Sequence, residues 1–111
     1  MNYSVIPTHQ FERELKRLIK KLPSLKSEFA ELITNIIQNP EIGTFIGNSC
    51  YKIRLAISSK GKGKSGGARV ITYLYLQSET VYLLTIYDKG EKLDLKPTEL
   101  KEMIFSLDLE V

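Results

Sequence analysis

Lysine and arginine are the residues of this chain whose types and spacing suit chemistry. From Cys50 to Ser78 stand Lys52, Arg54, Lys60, Lys62, Lys64 and Arg69, and these 29 residues hold no aspartate or glutamate. Lys52 and Arg54 share one face if their segment is a strand. Arg69 opens the next apolar run, and Lys89 and Lys92 follow the third. If those strands are neighbours, the cationic groups converge at one end of a sheet. Arginine binds phosphate bidentately, and lysine binds it as a point charge. Tyr51, Tyr73, Tyr75, Tyr82 and Tyr87 could stack bases, although alternation assigns most of them to the core. Single-stranded RNA suits such a surface. A second basic group, Arg13, Lys16, Arg17, Lys20, Lys21 and Lys26, is opposed locally only by Glu14. It reads equally as a solvated helix face.

Other chemistries fit poorly. Lys60-Gly61-Lys62-Gly63-Lys64-Ser65-Gly66-Gly67 suggests a nucleotide-binding P-loop, but the first glycine of that pattern would fall at Ser58. The residues that follow read as a strand, whereas a P-loop runs into a helix whose N-terminus meets phosphate. The segment reads as a hairpin connection, or as a basic loop whose glycines let amides approach phosphates. His9 and Cys50 are the only histidine and cysteine, so no zinc cluster is expected and no metal or other cofactor is assigned. Asp88, Glu91 and Asp94 interleave with Lys89 and Lys92 and read as a charged strand end and loop.

The 111 residues suit one domain spanning 1–111, and 42% hydrophobic with 26% charged residues is an ordinary globular mix. The formal charge of +3 averages unlike regions: from Asp88 onward there are four basic and seven acidic residues. No apolar run approaches the roughly 20 residues of a membrane span, and a lone cysteine suits a reducing cytoplasm. Asn2 to Ile6 reads as a strand ended by Pro7. Thr8 is placed to cap a helix carrying Phe11, Leu15, Leu18, Ile19 and Leu22 as one apolar stripe. Pro23 breaks it, Ser24 is placed to cap the next, and Asn39-Pro40 ends that one. Tyr51 to Ile57 alternates with strand period. Ala68 to Leu76 and Thr80 to Tyr87 follow, joined by a turn at Gln77-Ser78-Glu79. Pro97 suits the first turn of a closing helix with Leu100, Met103, Ile104 and Leu107 inward. The order predicts an α+β fold: an N-terminal strand and helical hairpin on a mostly antiparallel sheet of about four strands. A short C-terminal helix completes it, with the helices on one face.

Three stretches, Tyr51 to Leu55, Gly61 to Ile71 and Tyr82 to Lys89, resemble the RelE/ParE superfamily of bacterial toxins. The lysine–glycine loop and leucine-rich strand most resemble its HigB-like branch. The resemblance implies a RelE-like fold and the toxin of a type II toxin–antitoxin system. Such a toxin is a metal-independent endoribonuclease that cleaves mRNA on the 70S ribosome and is silenced by a cognate antitoxin in the bacterial cytoplasm. It implies catalytic roles for Arg69, Arg54, Lys52 and Lys89, with Arg69 at the scissile phosphate. RNA contacts are then expected from Lys60, Lys62, Lys64, Lys92, Arg13, Lys16, Arg17 and Lys20, the last four facing ribosomal RNA. The tyrosine of the final helix in RelE proper has no counterpart here, since that helix offers only Phe105. Two alternatives stay open: a ParE-like inhibitor of DNA gyrase on the same fold, which would not need Lys52, Arg54 and Arg69, and a non-catalytic RNA-binding module.

Overall fold

The computed structural model describes residues 3–61 and 63–107. The expected strand at Asn2–Ile6 is β1, Ser4–Pro7, and Asn2 lies outside the described residues. Helices α1 (His9–Lys21) and α2 (Leu25–Gln38) follow as a hairpin. Then come β2 (Thr44–Gly47), β3 (Cys50–Leu55), a 3₁₀ turn at Ser58–Lys60 and a single helical turn, α3 (Gly63–Gly66). The long strands β4 (Ala68–Tyr75) and β5 (Thr80–Asp88) precede the closing helix α4 (Pro97–Phe105). The strands form one sheet in the order β1-β5-β4-β3-β2, with β1 parallel to β5 and every other pair antiparallel. No helix among the described residues is long and apolar enough to cross a membrane.

Local chemistry explains most boundaries. Thr8 Oγ1 accepts from the Phe11 amide at 3.1 Å, capping α1, and its hydroxyl also reaches the Leu84 carbonyl at 3.2 Å. One side chain thus starts the helix and pins it to β5. Pro97 occupies the first turn of α4, where its missing N–H costs nothing. Ser24 does not cap α2 as expected. Its hydroxyl turns to Glu28 at 3.1 Å and accepts from the Ser59 amide at 2.9 Å, tying α2 to the 3₁₀ turn.

The sheet has five strands rather than about four. The extra one, β2, is short and carries no alternating signature. It pairs with β3 through Asn48 and Ser49, whose φ angles of 53° and 60° suit a tight hairpin of type I′. The turn expected at Gln77-Ser78-Glu79 is present, with Glu79 in the left-handed region at φ 50°.

The helices do not share one face. Phe11, Leu18, Leu25, Leu32 and Ile36 pack with Ile53, Val70, Val81 and Leu83 on one side of the sheet. Leu100 of α4 packs with Cys50, Ile71, Leu84 and Tyr87 on the other. The apolar stripe of α4 showed that it must pack, but helical period carries no information about which sheet face receives it.

The β4–β5 ladder is irregular. Ile71 pairs with Thr85, but Thr72 pairs with Leu83, so Leu84 is an extra residue in β5. Beyond this bulge the alternation inverts. Leu83 and Ile86 both face α1 and α2, whereas Leu84 and Tyr87 both face α4. Glu14 of α1 braces the irregularity by accepting from the Thr85 hydroxyl at 2.7 Å and the Ile86 amide at 3.2 Å.

Gly67 joins the glycine-rich connection to β4 where the chain passes against β3. A Cβ there would lie 2.0 Å from the Leu55 carbonyl oxygen, closer than any real contact, and backbone cannot step aside as a side chain can. Gly67→Ala is therefore expected to destabilise the fold by roughly 2 kcal/mol or more. A lowered urea midpoint measures it, and an unchanged midpoint would show that the connection shifts freely.

Candidate nucleic-acid interface

Cross-strand register assembles the centre of the site. Arg54 of β3 stands opposite Arg69 of β4, and Arg69 stands opposite Tyr87 of β5. Strand alternation puts Lys52 and Arg54 on the face of Cys50, the α4 side, and Tyr87 reaches that side because of the bulge. Lys52, Arg54 and Arg69 are thus together, as expected. Tyr87 joins them as a residue that alternation alone left in the core.

The members differ in what they are free to do. Arg54 is exposed and makes no hydrogen bond or ion pair among the described residues. Arg69 is 4% exposed. Its Nη1 donates to the Ala68 carbonyl at 3.1 Å and its Nη2 to the Ser65 carbonyl at 3.4 Å. The guanidinium is therefore tied into the glycine-rich connection. Lys52 Nζ donates to Asp94 at 2.8 Å.

Tyr87 is buried, and its hydroxyl makes no close hydrogen bond among the described residues, the Asp94 carboxylate lying nearby. Burial pushes its pKa up, the Asp94 charge and a weak hydrogen bond to it add to this, and Arg69 opposes it. Tyr87 is thus a protonated phenol, suited to giving a proton or hydrogen bond rather than taking a proton. Burial also pushes the Cys50 thiol up to about 12, so it is no thiolate nucleophile at neutral pH.

Lys89 and Lys92 lie on the segment between β5 and α4. The Lys89 amide donates to the Gly67 carbonyl at 3.0 Å, and its Nζ to the Leu93 carbonyl at 2.7 Å. Lys92 pairs with Glu99 at 2.6 Å and stands 5.8 Å above the Tyr87 ring.

Two more residues expected to contact RNA are committed elsewhere. Lys60 pairs with Asp88, and both groups are largely buried. Arg17 makes two hydrogen bonds to Glu91, at 2.8 and 3.3 Å. Lys21 bridges both acids, 2.9 Å from Glu91 and 3.5 Å from Asp88. This network locks α1 to the end of β5. Charge counting along the sequence missed it because Lys60 and Asp88 lie 28 positions apart. Arg13, Lys16 and Lys20 are exposed and unpaired among the described residues. They lie on α1, which packs against the sheet face opposite Arg54, so the basic residues form two surfaces rather than one. Lys62 and the side chain of Lys64 lie outside the described residues.

No family model matches the chain. Solved structures do share its fold at low identity. A double mutant of the Escherichia coli toxin RelE in the free state superposes with a TM-score of 0.64 at 15% identity, covering 98% of this chain and 100% of that one. The intact E. coli RelBE toxin–antitoxin complex gives 0.59 at 16% identity over 78% of this chain and 95% of that one. The toxin–antitoxin complex RelBE2 of Mycobacterium tuberculosis gives 0.55 at 17% identity over 79% and 99%. The chain has the α+β fold of the RelE toxins.

The ion network makes stability depend on acid pH. Hydrogen bonds from Arg17 and Lys21 hold the Glu91 carboxyl at about 2, against an ordinary 4.5. For Asp88, burial opposes ionisation, but hydrogen bonds from Lys60 and the Gly90 amide outweigh it and hold the carboxyl below its usual range. A carboxylate with a depressed folded-state pKa stabilises the fold above its unfolded pKa, and that contribution is lost as pH falls through the folded value. The Glu91 contribution is therefore expected to be whole above about pH 4.5 and lost towards pH 2. Urea midpoints between pH 7 and pH 2 measure this. Glu91→Gln should flatten the profile across that window, and an unaltered profile would show that the pair is inert.

Proposed function

We propose that the protein is the toxin of a type II toxin–antitoxin system, of the HigB-like branch, and that it cleaves mRNA on the ribosome without a metal ion. The observation that carries this is the row Arg54–Arg69–Tyr87, with Lys52 beside it, on the α4 face of a RelE-type sheet. A cognate antitoxin is the proposed protein partner, since neighbours of the same fold are held in toxin–antitoxin complexes.

In RNA the 2′-hydroxyl, losing its proton to water, can attack the adjacent phosphorus. The P–O5′ bond breaks, leaving a 2′,3′-cyclic phosphate and a 5′-hydroxyl. The phosphorane-like transition state gathers negative charge, which exposed Arg54 and Lys52 are placed to stabilise. Arg69 adds positive charge from within the sheet and holds the glycine-rich connection in place through Ser65. Tyr87, protonated at neutral pH, is suited to give its proton to the departing 5′-oxygen. Lys89 stands at the margin of the row and contributes charge rather than contact.

Among the described residues the site offers no evident general base, because the nearby carboxylate of Asp94 is held below its usual range by Lys52 and the Leu95 amide. Catalysis then leans on substrate geometry, which a ribosome supplies by fixing the mRNA. Arg13, Lys16 and Lys20 are the proposed contacts to ribosomal RNA. Lys62 and Lys64 are proposed to approach the same backbone as the row.

Arg54→Ala tests the reading cleanly because Arg54 has no structural partner to lose. Primer extension on mRNA after brief expression is expected to show cleavage reduced by about 10²–10³, with an unchanged urea midpoint. Wild-type cleavage by Arg54→Ala would refute it, and DNA damage with intact mRNA would point to gyrase inhibition. Replacing Arg13, Lys16 and Lys20 together with alanine is expected to lower the salt slope of ribosome binding by about 2–3. Co-sedimentation at several salt concentrations measures that slope.

A further inference from the structure

The segment between β5 and α4 brings an acid into the basic site. Asp94 Oδ1 accepts from Lys52 Nζ at 2.8 Å and from the Leu95 amide at 2.8 Å. The side chains are 67% and 28% exposed, Asp94 and Lys52 respectively, so the pair is in contact with solvent and exchangeable. An ionised carboxylate oxygen at this distance satisfies an ammonium as a phosphate oxygen would.

The same segment covers Tyr87. Lys92 lies over its ring, and the Asp94 carboxylate lies close to its buried hydroxyl, which makes no close hydrogen bond among the described residues. Two features thus point the same way: Lys52 is neutralised by Asp94, and the same carboxylate stands beside the buried proton donor. The start of the segment is anchored, by Glu91 to Arg17 and Lys21 and by the Lys89 amide to the Gly67 carbonyl, and Leu95 packs against the α4-side core. Between those anchors Lys92 is held to Glu99 and Asp94 to Lys52.

We propose that residues 92–94 form an autoinhibitory strap in which the Asp94 carboxylate stands in for the substrate phosphate. An entering RNA phosphate takes Lys52, expels Asp94, and takes its place beside the Tyr87 hydroxyl. Asp94 is a competitor of the substrate, not its base. The proposal rests on the ribonuclease reading for the identity of the entering anion, but displacement itself needs no cleavage.

The test uses a single-stranded RNA hexamer with 2′-O-methyl groups throughout, which cannot be cut. Fluorescence anisotropy at two salt concentrations is expected to show Asp94→Asn binding it about two- to fivefold more tightly than wild type. On programmed ribosomes the same variant should show a lower KM at unchanged kcat. In the wild-type protein, saturating hexamer should shift the 13C resonance of the Asp94 carboxylate as Lys52 is taken away. Equal or weaker binding by Asp94→Asn overturns the proposal, as does a fall in kcat at unchanged KM, or a hexamer that binds neither protein. If Asp94→Asn proves unfolded, the wild-type resonance decides alone, and no shift at saturation overturns it. Tighter binding by the variant with no mRNA cleavage by either protein would refute the ribonuclease reading and leave the strap standing.

Discussion

The site depends on one irregularity, the extra residue Leu84 in β5, and on the carboxylate that braces it. Without the bulge, Ile86 would face α4 and Tyr87 would point into the helical core. With it, Tyr87 joins the row of Arg54 and Arg69, and Asp88 turns towards α1. Glu14 holds this arrangement from across the interface through the Thr85 hydroxyl and the Ile86 amide. Bulges re-aim side chains beside functional sites in just this manner. The acid that looked like the lone opponent of a basic helix is therefore what orients the opposite face of the sheet.

Asp88 then binds the pieces together. It meets Lys60 at the start of the glycine-rich connection, Lys21 at the end of α1, and the Gly90 amide at the start of the segment that leads to α4. A carboxylate that is 3% exposed is costly unless fully partnered, and breaking such a pair costs about 3–5 kcal/mol. The far end of the glycine-rich connection is held by Arg69 through Ser65, and by the Lys89 amide through Gly67. Both ends are fixed by charged groups from neighbouring strands. Half of the basic residues that suggested RNA thus hold the protein together, which leaves Arg54 and the α1 surface free to meet a ligand.

Much of the fold was legible in the sequence because its signals were local. Thr8, Pro23, Pro97 and the alternation of β3 each act within a few residues, and the structure uses them as read, Ser24 excepted. The short strand β2 was not legible, because the three residues between Gly43 and Gly47 carry no period. The side of the sheet that α4 covers was not legible either, since a helical stripe says only that something covers it. At the site, the Lys52–Arg54 spacing and the place of Arg69 were readable from strand period. Tyr87 was not, because one inserted residue inverts the period without altering composition. The pairing of Lys60 with Asp88 and of Lys52 with Asp94 was invisible for a related reason: segment-wise charge counts separate residues that the sheet later brings together.

The protonation states at the site constrain the chemistry it can do. Its phenol is held protonated, and Asp94, the carboxylate paired with Lys52, is held ionised. Neither titrating group sits near neutrality, so the efficiency that general acid–base catalysis gains from a matched pKa is missing. What remains is preorganised positive charge and one neutral proton donor. Such a site stabilises a charged transition state but does little to prepare the attacking hydroxyl. On the proposed ribonuclease reading it would act slowly on free RNA, whose backbone rarely aligns the 2′-oxygen with the leaving oxygen, and quickly on RNA already held in line. On that reading an external scaffold compensates for the lack of a base among the described residues, and the second basic surface, on α1, is the proposed place for it to bind.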